Sequence, residues 1–131
     1  MNGANSVESL SMHELETVFK GEKEFWSNGK NIKLVLRPLD SKETEVLLKK
    51  VYGIPKEEFE RYWLEKVYGG KVKEVPVIIG STAAVNMLVG QSQEAVAPLE
   101  AGSVSRWAKV KVLKIDGKSP GEKDYPLRDG D

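Results

Sequence analysis

A switch of hydrophobic period constrains this chain most. Residues 12–19, "MHELETVF", place Leu15, Val18 and Phe19 at helical spacing. Residues 32–36, "IKLVL", alternate with a period of two instead, with Ile32, Leu34 and Leu36 on one face and Lys33, Val35 and Arg37 giving a mixed face. Helical spacing then returns over 40–52, with Leu47, Leu48 and Val51 inward. A chain that reads helix, strand, helix buries one stripe of each helix on a sheet, which argues for an α/β layered domain. Its 131 residues fit one domain with a real core.

Local signals mark where each element stops. Ser11 and Glu14 have capping-box spacing, and Leu10 and Leu15 that of a hydrophobic staple. Asn28-Gly29 marks a turn, Pro38 ends the strand, and Gly53 ends the second helix. "IPKEEFERYWLEKVYGG" reads as a third helix, with Pro55 and acids in its first turn, Phe59, Tyr62, Trp63 and Val67 inside, and Gly69-Gly70 as its stop. "VPVIIG" is a short extended segment, "STAAVNMLVGQS" a fourth helix capped by Ser81 or Thr82, and "EAVAPL" a brief extended piece. After the connector "EAGSVSRWA", "KVKVLKIDG" is the last strand, with Val110, Val112, Leu113 and Ile115 apolar. The pattern predicts a sheet of about three to five strands. Residues 32–36 and 110–115 are expected in one sheet, with the Phe59/Trp63 face packed on it. The expected division is a disordered or truncated start over 1–9, a single domain over 10–127, and a tail over 128–131.

Composition narrows the function classes. The charges balance, 20 basic against 20 acidic, without the basic excess of a nucleic-acid binder. Lacking cysteine, the chain has no disulfide framework, thiolate metal site or Cys nucleophile. A lone His13 argues against a His-based metal site or a triad, so neither cofactor nor catalytic set is expected. No apolar run reaches the ~18 residues needed to span a bilayer, so no direct membrane insertion is expected. The polar, abrupt "MNGANSVESLS" fits a start left after removal of a leader.

The order "MHELETVFKG", "FWSNGKNIKLVLR", "FERYWLEKVYGG" and "VKVLKIDGKSP…YPL" resembles the second domain of phosphate-type substrate-binding proteins of ABC transporters, over roughly Leu10 to Leu127. The resemblance implies one lobe of a type II periplasmic-binding-protein-like fold, in a single-lobe standalone form. It also implies a non-enzymatic protein, a periplasmic or other extracytoplasmic location, phosphate or another oxyanion as ligand, and a membrane transporter or envelope protein as partner. Two stretches depart from the family pattern. "EAVAPL" stands where the family has "GAIGYV", and "SKET" stands where it has "SGT", so Glu43 takes the place of a glycine.

"RPLDSKETEVLLKK" is where this implication meets the residues. A helix N-terminus offers unpaired N–H groups and partial positive charge to an anion. Arg37 can add a bidentate grip. The resemblance places Arg37 and Ser41 on the family's ligand positions, with Thr44 one residue off, and brings Lys42 and Glu43 in through their backbone. The alternative reading of the same residues is a cap: Asp40 or Ser41 starts the helix, Glu43, Thr44 or Glu45 completes its first turn, and Arg37 pairs with a carboxylate. Gly80-Ser81-Thr82 offers a second helix start with the same two readings. Trp26, Trp63 and Trp107 are expected as core or half-buried anchors. Glu14/Glu16 and Glu57-Glu58 are expected as solvated charge rather than glycosidase carboxylates. Asp129-Gly130-Asp131 lacks the further ligands of a calcium loop. An envelope interaction module that has lost solute binding is the other functional reading.

Overall fold

The computed structural model describes residues 1–73 and 75–127. Its elements run β1 (Ser9–Leu10), α1 (Met12–Phe19), β2 (Lys33–Leu36), α2 (Lys42–Leu47), α3 (Phe59–Tyr68), β3 (Val77–Ile78), α4 (Thr82–Gln91), β4 (Ala95–Val96) and β5 (Lys114–Ile115). The 128–131 tail, including Asp129-Gly130-Asp131, lies outside the described residues.

The strands form two parallel sheets, one in the order β3-β2-β4 and one of β1 with β5. This corrects the expectation that 32–36 and 110–115 share a sheet. The partner of 109–115 is the N-terminal segment: Gly3 N–H donates to Lys109 O at 2.8 Å, Lys111 N–H to Met1 O at 2.8 Å, and β1 pairs with β5. A period-two pattern says that a segment is a strand, not which strand lies beside it.

The same contacts hold the first residues against the rest of the chain. Asn2 is buried at 3% exposure, and its Nδ2 donates to Val89 O and Gly90 O at 2.8 and 3.1 Å. These bonds tie the first residues to the end of α4 and satisfy an amide that would be costly to bury unpaired.

The central strand is covered on both faces. Leu36, 1% exposed, joins the main core with Leu15, Phe19, Leu47, Phe59 and Trp63. Its neighbour Val35, 0% exposed, points the other way into a smaller core with Val85, Val89 and Ala95. Adjacent buried residues are what a parallel sheet between helical layers requires. The face read as mixed from Lys33, Val35 and Arg37 is therefore roofed by α4.

Capping decides several ends as expected. Ser11 Oγ accepts the Glu14 N–H and Glu14 Oε1 accepts the Ser11 N–H, both at 3.0 Å. These bonds, the backbone one foremost, hold the Glu14 carboxyl below its usual pKa. The second helix departs from expectation. Rather than running unbroken over 40–52, it is α-helical over Lys42–Leu47 and widens to a π turn over Leu48–Tyr52, closed by Gly53 at φ 67°. The wide turn accompanies a packed aromatic cluster. Tyr52 meets Phe59 and Tyr62 edge-on, with ring centroids 5.3 and 5.6 Å apart, and its hydroxyl donates to Phe19 O. Burial pushes the Tyr52 hydroxyl pKa far up, and burial with Glu22 nearby pushes Tyr62 to about 12. Gly21, at φ 77°, faces the Trp63 ring so closely that a Cβ would lie 2.7 Å from it.

Candidate functional site

The corner grows from β2. Arg37 follows the strand, and Pro38 brings no N–H to continue the ladder. The chain turns so that Ser41 N–H donates to Pro38 O at 2.9 Å. Ser41 is the N-cap of α2, extended at φ −75° and ψ 154°, and its Oγ accepts the Thr44 N–H at 3.3 Å. That settles which residue caps: Ser41 rather than Asp40. The Ser41 hydroxyl proton goes back to Pro38 O at 2.6 Å. Thr44 faces inward at 1% exposure and donates its hydroxyl to Arg37 O at 2.8 Å. Both hydroxyls thus bind backbone oxygens of the corner itself.

The charged groups are less completely matched. Arg37 Nη1 donates to Ile79 O at 2.8 Å. Its Nε lies 3.5 Å from Glu43 Oε2, with the two side chains 14% and 9% exposed. Nε nevertheless has no hydrogen-bond partner among the described residues. The pair is a charge contact without the parallel N–H···O bonds of a bidentate grip. Lys42 is exposed. Glu43 and Glu45 lie in the first turn of α2, where negative charge suits the helix dipole and opposes an arriving anion.

Of the five residues that the sequence grouped, the structure brings Arg37, Ser41, Glu43 and Thr44 into one stitched corner and leaves the Lys42 side chain at its rim. It also supplies a neighbour that was read as separate. Ile79 leads from β3 into Gly80 and Ser81, and Ser81 caps α4 by accepting the Ala84 N–H at 3.3 Å. Arg37 therefore spans the starts of two helices, each following a parallel strand at its C-terminal end. In open α/β sheets that edge is where ligands are held. The signal was the repeated pattern of an apolar run, a short turn and a Ser, in "LVLRPLDS" and "VIIGS".

The remaining candidates sort cleanly. Trp63 is core at 3% exposure, and Trp26, equally buried, donates Nε1–H to Glu94 O at 2.9 Å. Trp107 corrects its expectation: it is 93% exposed, although its connector is tied to α4 by Asn86, whose Nδ2 donates to Ser103 O and whose Oδ1 accepts the Ser105 N–H, both at 2.9 Å. His13, Glu14, Glu57 and Glu58 are exposed. Among the described residues, no three His, Cys, Asp or Glu side chains gather as a metal set, and no helix is long and apolar enough to cross a membrane.

No family model matches this sequence, and no curated protein matches at the level that marks a relative. Solved structures do match. An ABC-type phosphate transport receptor from Vibrio cholerae aligns with TM-score 0.65 and 22% identity, over 97% of this chain and 50% of its own. A Clostridium perfringens protein assigned as a phosphate ABC transporter substrate-binding protein, solved with bound phosphate, aligns with TM-score 0.69 and 17% identity, over 91% of this chain and 44% of its own. PstS from Borrelia burgdorferi aligns with TM-score 0.71 and 11% identity, over 95% of this chain and 50% of its own. The fold is one lobe of a type II periplasmic-binding-protein-like domain. At these identities the likeness is one of fold, and the lobe spans about half the length of the solved chains it matches.

Proposed function

We propose that this lobe is a non-enzymatic, extracytoplasmic solute-binding-protein-like domain related to phosphate or oxyanion transport by ABC transporters. Its ligand site is the corner between β2 and α2: Arg37, Ser41, the backbone N–H groups of Lys42 and Glu43, and Thr44 as the residue that fixes the corner's shape. The observation that carries the reading is Arg37, held at the C-terminal edge of the sheet with an unpaired Nε–H, in a fold shared with phosphate-transport proteins. An oxyanion there would take up that N–H and displace the Glu43 carboxylate.

Binding is expected to be weak. A single lobe contacts its ligand from one side, and in water a charge pair at ~4 Å is worth only about 1 kcal/mol. The expected affinity is roughly millimolar, about −4 kcal/mol, and it weakens with salt. The test is a titration of the amide spectrum with phosphate, sulfate, molybdate and tungstate. Shifts centred on residues 41–44, abolished by Arg37→Ala in a still-folded protein, support the site. Shifts elsewhere, with 41–44 still, reduce the corner to a helix cap.

A second reading has its own observation. The Glu43 carboxylate, 9% exposed, already stands against Arg37. On this reading the lobe has lost solute binding and works as a protein-interaction module of the cell envelope. The same titration separates the two, since a module of this kind leaves every oxyanion unbound.

A further inference from the structure

Trp107 does not sit on a loose loop. The backbone on both sides of it is tied down. Before it, Asn86 of α4 holds Ser103 and Ser105, and the Ser105 hydroxyl oxygen accepts the Trp107 and Ala108 N–H groups, both at 3.1 Å. After it, Lys109 O accepts the Gly3 N–H at 2.8 Å, and Lys109 N lies so near α4 that a Cβ placed on Gly90 would stand 3.3 Å from it. A large apolar ring is thus held out in water by a fixed turn, while Trp26 and Trp63 are both buried. Positive charge gathers around it. Residues 101–115 carry Arg106, Lys109, Lys111 and Lys114 and no acid, in a chain whose charges balance overall. Lys111 is spent on Glu8 at 2.8 Å. Arg106 and Lys109, which flank the indole in the chain, are exposed, and neither enters an ion pair among the described residues.

We propose that the turn around Trp107 docks the chain peripherally on an anionic lipid surface, with the indole at headgroup depth and Arg106 and Lys109 against lipid phosphates. The residues beside the indole decide the kind of partner. An aromatic anchor in a protein interface sits in an apolar patch from which charge is excluded, with polar groups at the rim. Here the anchor has a cation immediately before it and another two residues after it. A single-stranded nucleic acid needs a basic groove that tracks its backbone, and a neutral chain with two free cations at the ring offers none. A tryptophan flanked by basic side chains is instead the arrangement that suits a headgroup layer, where the ring body meets the acyl boundary and the cations meet phosphate. Each basic residue near such a surface favours binding about fivefold, so Arg106 and Lys109 together give a preference of roughly thirtyfold for anionic over neutral lipid. The contact is peripheral, and no part of the turn crosses the hydrocarbon. The proposal rests on neither reading of the Arg37 corner.

The test is co-sedimentation of the 131-residue chain with vesicles of equal parts phosphatidylcholine and phosphatidylglycerol, alongside vesicles of phosphatidylcholine alone. The anionic vesicles should bind the chain roughly thirtyfold more tightly than the neutral ones, and added salt should release it. Tryptophan emission should move to the blue on binding, and that shift reports Trp107, because Trp26 and Trp63 are buried already. Arg106→Gln and Lys109→Gln should each weaken binding about fivefold, and Trp107→Ala at least as much. These side chains are exposed, so the variants keep the fold. Lys56→Gln makes the same charge change ahead of α3, on the other face of the central strand, and should leave binding within about twofold. Any of five results would overturn the proposal: no sedimentation with anionic vesicles, equal sedimentation with neutral ones, an emission that does not move, a loss in Lys56→Gln as large as in Arg106→Gln, or the same blue shift from poly-glutamate or a single-stranded oligonucleotide at equal charge concentration, which would make the partner an acidic protein or a nucleic acid.

Discussion

At the start of α2, Ser41 accepts the Thr44 N–H and donates to Pro38 O, Thr44 is buried on Arg37 O, and Glu43 stands against the arginine. At the start of α4, Ser81 accepts the Ala84 N–H with the same 3.3 Å geometry, yet the turn before it is open: nothing lies within 4 Å of a Cβ placed on Gly80, and the first turn carries no acid. Both helices follow parallel strands of one sheet. The difference teaches that a cap and an anion site draw on the same donors. Where hydroxyls and carboxylates are turned inward to fix a corner, fewer groups are left for a ligand, and Arg37 is the group that still reaches across both corners.

The largest difference should come from the buried hydroxyl. Thr44→Val leaves Arg37 O without its donor in a buried site and should lower stability by about 1–3 kcal/mol, whereas Thr82→Val, the same change elsewhere in the first turn of α4, should stay within about 0.5 kcal/mol. Urea unfolding of the two variants measures this, and equal losses would break the contrast. Next come the caps. Ser41→Ala should lower stability by about 1 kcal/mol, and Ser81→Ala by less, because the exposed α4 end can recruit water. A larger loss at Ser81 would show that the open corner carries more of the fold than its contacts suggest.

Charge gives smaller effects. Glu43→Gln should strengthen phosphate binding about threefold, a change of roughly 0.7 kcal/mol, by removing the carboxylate that competes for Arg37. Glu43→Gly should strengthen it further by freeing the backbone to approach. An unchanged phosphate titration in both variants would mean that Glu43 is not the competitor. Smallest of all, Ala83→Glu would give α4 the first-turn acid that α2 has, and at this exposed position should raise stability by about 0.3 kcal/mol at low salt, fading as salt is added.

Much of this was legible in the chain. The capping box at Ser11 and Glu14, the inward set Phe59 and Trp63, and a Ser start for the second and fourth helices are local signals, set by hydrogen bonds within a few residues and by helical period. Strand partners were not legible. Residues 110–115 carry the apolar pattern of a strand in either sheet, and only packing places the first ten residues beside them. The exposure of Trp107 was hidden for a related reason, since indole size argues for burial while the direction of the side chain is set by how residues 103–109 are tied to α4.

By itself the sequence determined the α/β alternation, the positions of the helix starts and the chemistry gathered at Arg37 to Thr44, because period, capping and turn residues act over short stretches of chain. Tertiary structure decided that Val35 is buried beneath α4, that the strands form two sheets, and that Thr44 faces in while Arg37 reaches Ile79. Those outcomes depend on which distant surfaces meet, and burial and backbone pairing between residues tens of positions apart leave no local signature.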